Sequence, residues 1–80
     1  MLFGVFAPQG WKMELSGVHG AEAKWAATLD TARVAERLGF DSIWVYDHVH
    51  NVPVPAHEAV FECWTTTAAL AQATSTIRLG

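Results

Sequence analysis

Two adjacent ionisable residues, Asp47 and His48, close the apolar run Ile43-Trp44-Val45-Tyr46. An imidazole exchanges a proton near neutral pH, and a neighbouring carboxylate can accept and orient a hydrogen bond, so the pair is equipped for acid–base work. The plain alternative is that Asp47 caps the turn that follows and His48 is a loop residue. A second group, Pro8-Gln9-Gly10-Trp11, follows another apolar run. Gln9 could hydrogen-bond a ligand and Trp11 could stack on one, although a loop glutamine and a half-buried tryptophan are also ordinary features. His48-Val49-His50 has the i, i+2 spacing of paired metal ligands, and His57 with Glu58 could add donors. A catalytic metal takes three protein ligands, and the chain shows no second cluster, so the metal reading ranks below the acid–base one. On that ranking His50 is a solvated loop residue and His57-Glu58 the polar first turn of a helix. Cys63, between Phe61 and Trp64, reads as a buried and inert thiol.

The elements that must position these residues follow from periodicity. Leu2-Phe3-Gly4-Val5-Phe6 is rich in β-formers and is closed by Pro8 and Gly10, which predicts a buried strand covered on both faces. Gln9 to Gly20 lacks sustained periodicity and is read as a long loop, the kind that usually carries function. From Ala21 to Leu38, Trp25, Leu29, Ala32, Ala35 and Leu38 recur at steps of three and four, which predicts a helix ended by Gly39. Ile43 to Tyr46 is a second strand, and the prolines Pro53 and Pro55 place a loop after it. A second helix is predicted from about His57 or Glu58 to Thr74, with Phe61, Trp64, Ala68, Ala71 and the neighbours Leu70 and Ala69 forming a wide apolar face. Ile77 to Gly80 opens a third strand. Trp25, Trp44 and Trp64 are most simply core.

The order β-α-β-α-β implies parallel strands joined by right-handed crossovers. Two helices on one side of three strands leave the other side bare, whereas parallel sheets are stable almost only when both faces are covered. Doubly wound folds and barrels both begin this way, but the length of each unit suits a (β/α)8 TIM barrel, in which about 250 residues divide among eight units. In either architecture ligands bind beyond the carboxyl ends of the strands, which is where Gln9, Gly10, Asp47 and His48 fall.

Composition narrows the class of function. The chain has 80 residues, 51% of them apolar, with 5 Lys and Arg against 8 Asp and Glu. A chain this short is at most one domain, and its apolar content argues against a disordered tail. One cysteine cannot form an internal disulfide, which fits a reducing compartment. The apolar run at the N-terminus is too short for a signal peptide or a membrane span, so a cytoplasmic protein is expected. Scattered Arg33, Arg37 and Arg78 give no footprint for nucleic acid or an anionic membrane, leaving a small molecule as the expected partner. The glycines at 4, 10, 17 and 20 do not form a dinucleotide-binding G-x-G-x-x-G, and neither a Walker A motif nor a nucleophile elbow is present.

Three segments taken together are more specific than any one of them. Phe3 to Gly10 reads FGVFAPQG, Ala35 to His48 reads AERLGFDSIWVYDH, and Phe61-Glu62-Cys63-Trp64-Thr65-Thr66 leads to Ala73-Thr74-Ser75-Thr76-Ile77-Arg78-Leu79-Gly80. In order and spacing they resemble the N-terminal part of luciferase-like monooxygenases, and particularly the branch that depends on the deazaflavin coenzyme F420. The resemblance implies a (β/α)8 barrel that binds F420 or FMN at the carboxyl ends of its strands and transfers hydride to or from an organic substrate, with O2 as co-substrate in a true monooxygenase. It further implies that Asp47 and His48 contact the cofactor or move a proton beside it, and that Gln9 and Gly10 border the cofactor ring. Residues 1–80 would then be an incomplete N-terminal part of one barrel domain, inactive alone, and its full-length parent is expected to be a homo-oligomer. Two other readings stand beside this one. The first is a metal-dependent hydrolase barrel using His48-x-His50, and the second is a non-catalytic remnant that docks or aggregates through its uncovered sheet face.

Overall fold

A computed structural model describes residues 1–54 and 56–80. Strand β1 (Gly4–Phe6), helix α1 (Ala21–Arg37), strand β2 (Ser42–Trp44), helix α2 (Cys63–Ala73) and strand β3 (Arg78–Leu79) follow one another along the chain. The strands form one parallel sheet in the order β1-β2-β3, with Gly4 opposite Ser42, Phe6 opposite Trp44, and Ser42 opposite Arg78. This is the parallel β-α-β-α-β portion of a (β/α)8 barrel that the sequence predicts. Ladder bonds run past the short strands: Ala7 N donates to Trp44 O at 2.8 Å, Gly80 N to Ile43 O at 2.9 Å and Val45 N to Gly80 O at 3.0 Å.

Both helices lie on one face of the sheet. Ala7, Ala32, Ala35, Ile43, Leu70 and Ile77 are buried between the layers, with Val5, Leu29, Phe40, Val45 and Leu79 packed against them. The alternation of a strand sends Val5, Ile43 and Leu79 towards the helices and Gly4, Phe6, Ser42 and Trp44 to the opposite face. On that second face the Trp44 indole lies across the sheet, its Nε1 donating to Ser42 Oγ at 2.8 Å. A Cβ built on Gly4 would stand 2.8 Å from this Nε1, and one on Gly80 would stand 2.5 Å from the far side of the ring, so glycines on the flanking strands make room for it.

Several expectations are corrected here. β1 is not covered on both faces, since Phe6 is exposed on the side that no helix reaches, and Phe3, near the end of α1, is exposed as well. In α1 the buried stripe is Thr28, Ala32 and Ala35, whereas Leu38 caps the helix and is 68% exposed. Gly39, at φ +85°, turns the chain just beyond it as expected. Helix α2 starts at Cys63 rather than near His57, because the Glu62 carboxylate caps it by accepting from Trp64 N at 3.0 Å and Thr65 N at 2.7 Å. The residues before it are committed elsewhere, with Phe61 N donating to Gln9 O at 2.8 Å. His57-Glu58 is accordingly loop and not a first helical turn. Thr66 and Leu70 form the buried side of α2, whereas Trp64 is 76% exposed, so neither it nor the half-exposed Trp44 is core. Trp25 is half-buried and meets Phe61 edge to face at 5.4 Å. Cys63 is half-buried, not buried, at the opening of α2. The expectation for Pro55 lies outside the described residues.

Candidate functional site

The carboxyl ends of β1 and β2 feed two loops, and nearly every polar contact that shapes them involves Gln9, Glu14 or Asn51. Gln9 is 1% exposed. Its Nε2 donates to Tyr46 O at 3.1 Å and to Phe61 O at 3.0 Å, while its Oε1 accepts from Tyr46 N. One buried amide thus holds the end of β2 and the approach to α2, satisfying three backbone groups that would otherwise be orphaned. The Glu14 carboxylate accepts from the backbone N–H groups of Gln9 at 3.0 Å, Gly10 at 2.8 Å and Lys12 at 2.8 Å, which folds the first loop around it. Asn51, buried, donates from Nδ2 to Gly10 O at 2.9 Å and accepts from Ala56 N at 3.3 Å. Gly10 sits at φ +97°, and a Cβ there would fall 1.9 Å from Ala59 O, so any other residue must displace the backbone of the neighbouring loop.

The loops are also tied to α1. Thr28 Oγ1 donates to Pro8 O at 2.6 Å, and Lys24 Nζ donates to Leu15 O at 2.7 Å and pairs with Glu58 at 3.3 Å. Thr28 was missed by the sequence reading. Its signal is a small hydroxyl residue at a position of the apolar stripe, between Trp25 and Ala32, where only a hydrogen-bonded polar group is tolerated.

Upon this frame stands a group of rings. Phe6 stacks on Tyr46 with centroids 4.5 Å apart and planes within 8°. Trp11 tilts against Tyr46 at 4.5 Å and 50°, and lies flat on His48 at 3.9 Å and 2°. Residues 42, 44, 46 and 48 alternate along one line, which is why Trp44, Tyr46 and His48 follow each other up the face away from the helices. A cavity of about 230 Å³ opens beside the rings, lined by Phe6, Ala7, Pro8, Lys12, Glu14 and Tyr46. Burial, and secondarily the Glu14 charge, push the Tyr46 hydroxyl above its ordinary range, so it stays a neutral donor. A larger groove of about 320 Å³ between Val5, Val34, Leu38 and Phe40 is apolar and lies away from all of these groups.

The predicted site residues thus divide. Asp47 and His48 are exposed at the mouth, whereas Gln9 and Gly10 are buried beneath it. His48 and His50 do not converge: the first lies on Trp11, and Nδ1 of the second is 3.1 Å from Asn51 O. Among the described residues no three His, Cys, Asp or Glu side chains are grouped to hold a metal ion, and no helix is long and apolar enough to cross a membrane.

The sequence profile of the family described as luciferase-like monooxygenase matches residues 1–80. The chain belongs to this family. No curated protein and no solved structure matches it. Luciferase-like proteins are flavin- or F420-type oxidoreductases acting on small molecules. The site presents flat ring faces at Tyr46, Trp11 and His48 and a buried Trp11 indole N–H that has no partner among the described residues. Aromatic rings grouped beside a cavity suit a planar heterocycle.

Proposed function

We propose that this luciferase-like chain forms the first part of a (β/α)8 oxidoreductase that uses F420, with FMN as the alternative cofactor, at the carboxyl ends of β1 and β2. The observation that carries the reading is the ring group Phe6, Tyr46, Trp11 and His48 at the strand ends, next to the exposed carboxylate of Asp47. Bound there, the cofactor would supply two-electron hydride chemistry. The chain supplies the rest. Tyr46 and Trp11 offer faces for a planar ring, and the position of His48 at the mouth suits it to give or take a proton. Asp47 positions either the cofactor or the imidazole. Gln9 and Gly10 act from below by fixing the backbone that borders the ring. Phe6 and Trp44 make the face beneath apolar.

Titrating the purified protein with F420 and, separately, with FMN while following tryptophan emission tests this proposal. F420 is expected to bind more tightly than FMN, and Asp47→Ala to weaken binding about tenfold, the loss of one charge-assisted hydrogen bond. Preference for FMN would overturn the F420 assignment. Unchanged affinity and turnover in both Asp47→Ala and His48→Ala, measured in the full-length parent, would sink the site.

A further inference from the structure

We infer that Trp11 is a positioning residue for His48, its indole fixing the plane in which the imidazole presents its ring nitrogens at the mouth of the site. The inference rests on the reading of His48 as the proton-transfer group.

His48 lies on an exposed segment outside any helix or strand, where a histidine ring would ordinarily turn about its side-chain bonds. Among the described residues nothing hydrogen-bonds its ring. What holds it is the flat stack on Trp11, at 3.9 Å and 2°. Trp11 in turn is fixed on every side. Its carbonyl accepts from Val52 N at 2.9 Å, Gly10 before it is bonded to Asn51, and Lys12 after it donates its N–H to Glu14. Tyr46 leans on the indole at 4.5 Å, and Lys12 Nζ stands 5.1 Å from the ring centroid.

This placement has a cost. The Trp11 Nε1 is buried with no partner among the described residues, and an unpaired buried N–H works against folding. A loop whose task was only to close itself would turn the indole to release that donor. Keeping it inward is intelligible if the ring plane is what the site requires. An indole face attracts both a neutral imidazole and an imidazolium, so the stack survives both protonation states of His48. With the plane set, the imidazole can only slide or turn within it, and its nitrogens stay in the plane from which a proton must travel. Restricting a catalytic group in this way lowers the orientational entropy that the reaction step must otherwise overcome.

Ring-labelled histidine spectra of the purified protein test the idea without turnover. The chain has four histidines, and His48→Gln assigns the fourth signal. The ring protons of His48 are expected upfield of those of the other three, displaced by the indole above them. Trp11→Leu should return them to the common position, and Trp11→Phe, which keeps a flat ring and serves as the conservative variant, should retain the displacement. His48 signals that coincide with the others in the unaltered protein, or that do not move in Trp11→Leu, overturn the inference. Affinity for F420 and FMN in His48→Gln is the separate arm. If it is unchanged, and Asp47→Ala also leaves affinity and turnover unchanged, while Trp11→Leu moves the ring signals, the cofactor reading fails and the positioning of His48 by Trp11 stands.

Discussion

The two ends of the sheet are built in contrasting ways. At the carboxyl ends the exposed Glu14 carboxylate gathers three backbone N–H groups of the first loop, but the clasp between loops is made by Gln9 and Asn51, both buried and neutral, and by backbone packed so closely at Gly10 that a Cβ does not fit. At the amino ends one carboxylate near the surface does the equivalent task. Glu36, in the last turn of α1, accepts at a single oxygen from Ser75 N at 2.7 Å, Thr76 N at 2.7 Å and Ile77 N at 3.0 Å, with Thr76 Oγ1 at 3.3 Å. It thereby holds the turn that leads into β3. The three backbone N–H groups, that of Ile77 foremost, lower its pKa from 4.5 to about 2. The difference teaches how each end fails. Neutral buried amides are indifferent to pH but tolerate no change of shape, whereas the carboxylate tolerates exposure but depends on its charge.

The largest expected effect breaks the carboxyl end. Gly10→Ala must both hold a positive φ and displace Ala59, and should cost at least about 3 kcal/mol, read from the denaturant midpoint. Gln9→Leu comes next. It leaves Tyr46 N, Tyr46 O and Phe61 O without their partner, and a loss of about 2–4 kcal/mol is expected by the same measurement, equal at pH 5 and pH 8. A pH-dependent loss would show that the two ends are not distinct. For the amino end the sign is opposite in kind. A carboxyl whose folded pKa lies below its unfolded value stabilises above the unfolded one, so the contribution of Glu36 is intact above about pH 4.5 and disappears as the pH falls towards about 2. Glu36→Gln should therefore flatten the stability profile between those values while leaving the acceptor geometry largely in place. The smallest effect is expected for Arg78→Ala. Its guanidinium is mostly exposed and 3.8 Å from Asp41, and the loss of stability read from thermal melts should be no more than about 0.5 kcal/mol.

The fold was legible because it rests on period and punctuation: apolar runs at 2–6 and 43–46, a three-and-four stripe from Trp25, and Gly39 at a helix end. The start of α2 was not, since Ala, Val and Phe at 59–61 look helical locally and only the distant Gln9 carbonyl and the Glu62 cap decide otherwise. Asp47 and His48 could be placed beyond the carboxyl end of a strand from sequence, although β2 ends at Trp44 and not at Tyr46 as the apolar run suggests. The stack of Trp11 on His48 joins residues far apart in the chain and follows from loop closure through Asn51, Val52 and Glu14, which no local pattern encodes. Trp44 and Trp64 were misplaced because size and hydropathy suggest burial, whereas the face they occupy is settled by which side of the sheet the helices take.

The single amide of Gln9 also makes the site region a unit in time. It clasps segments 37 and 52 residues away in sequence, so neither can open while it holds. The backbone protons of Tyr46 and Phe61, one bonded to its side chain and the other to its carbonyl, should exchange with solvent at matched rates, as members of one cooperative opening. A small molecule that entered beside Tyr46 would then slow exchange at Phe61, far along the chain, without touching it.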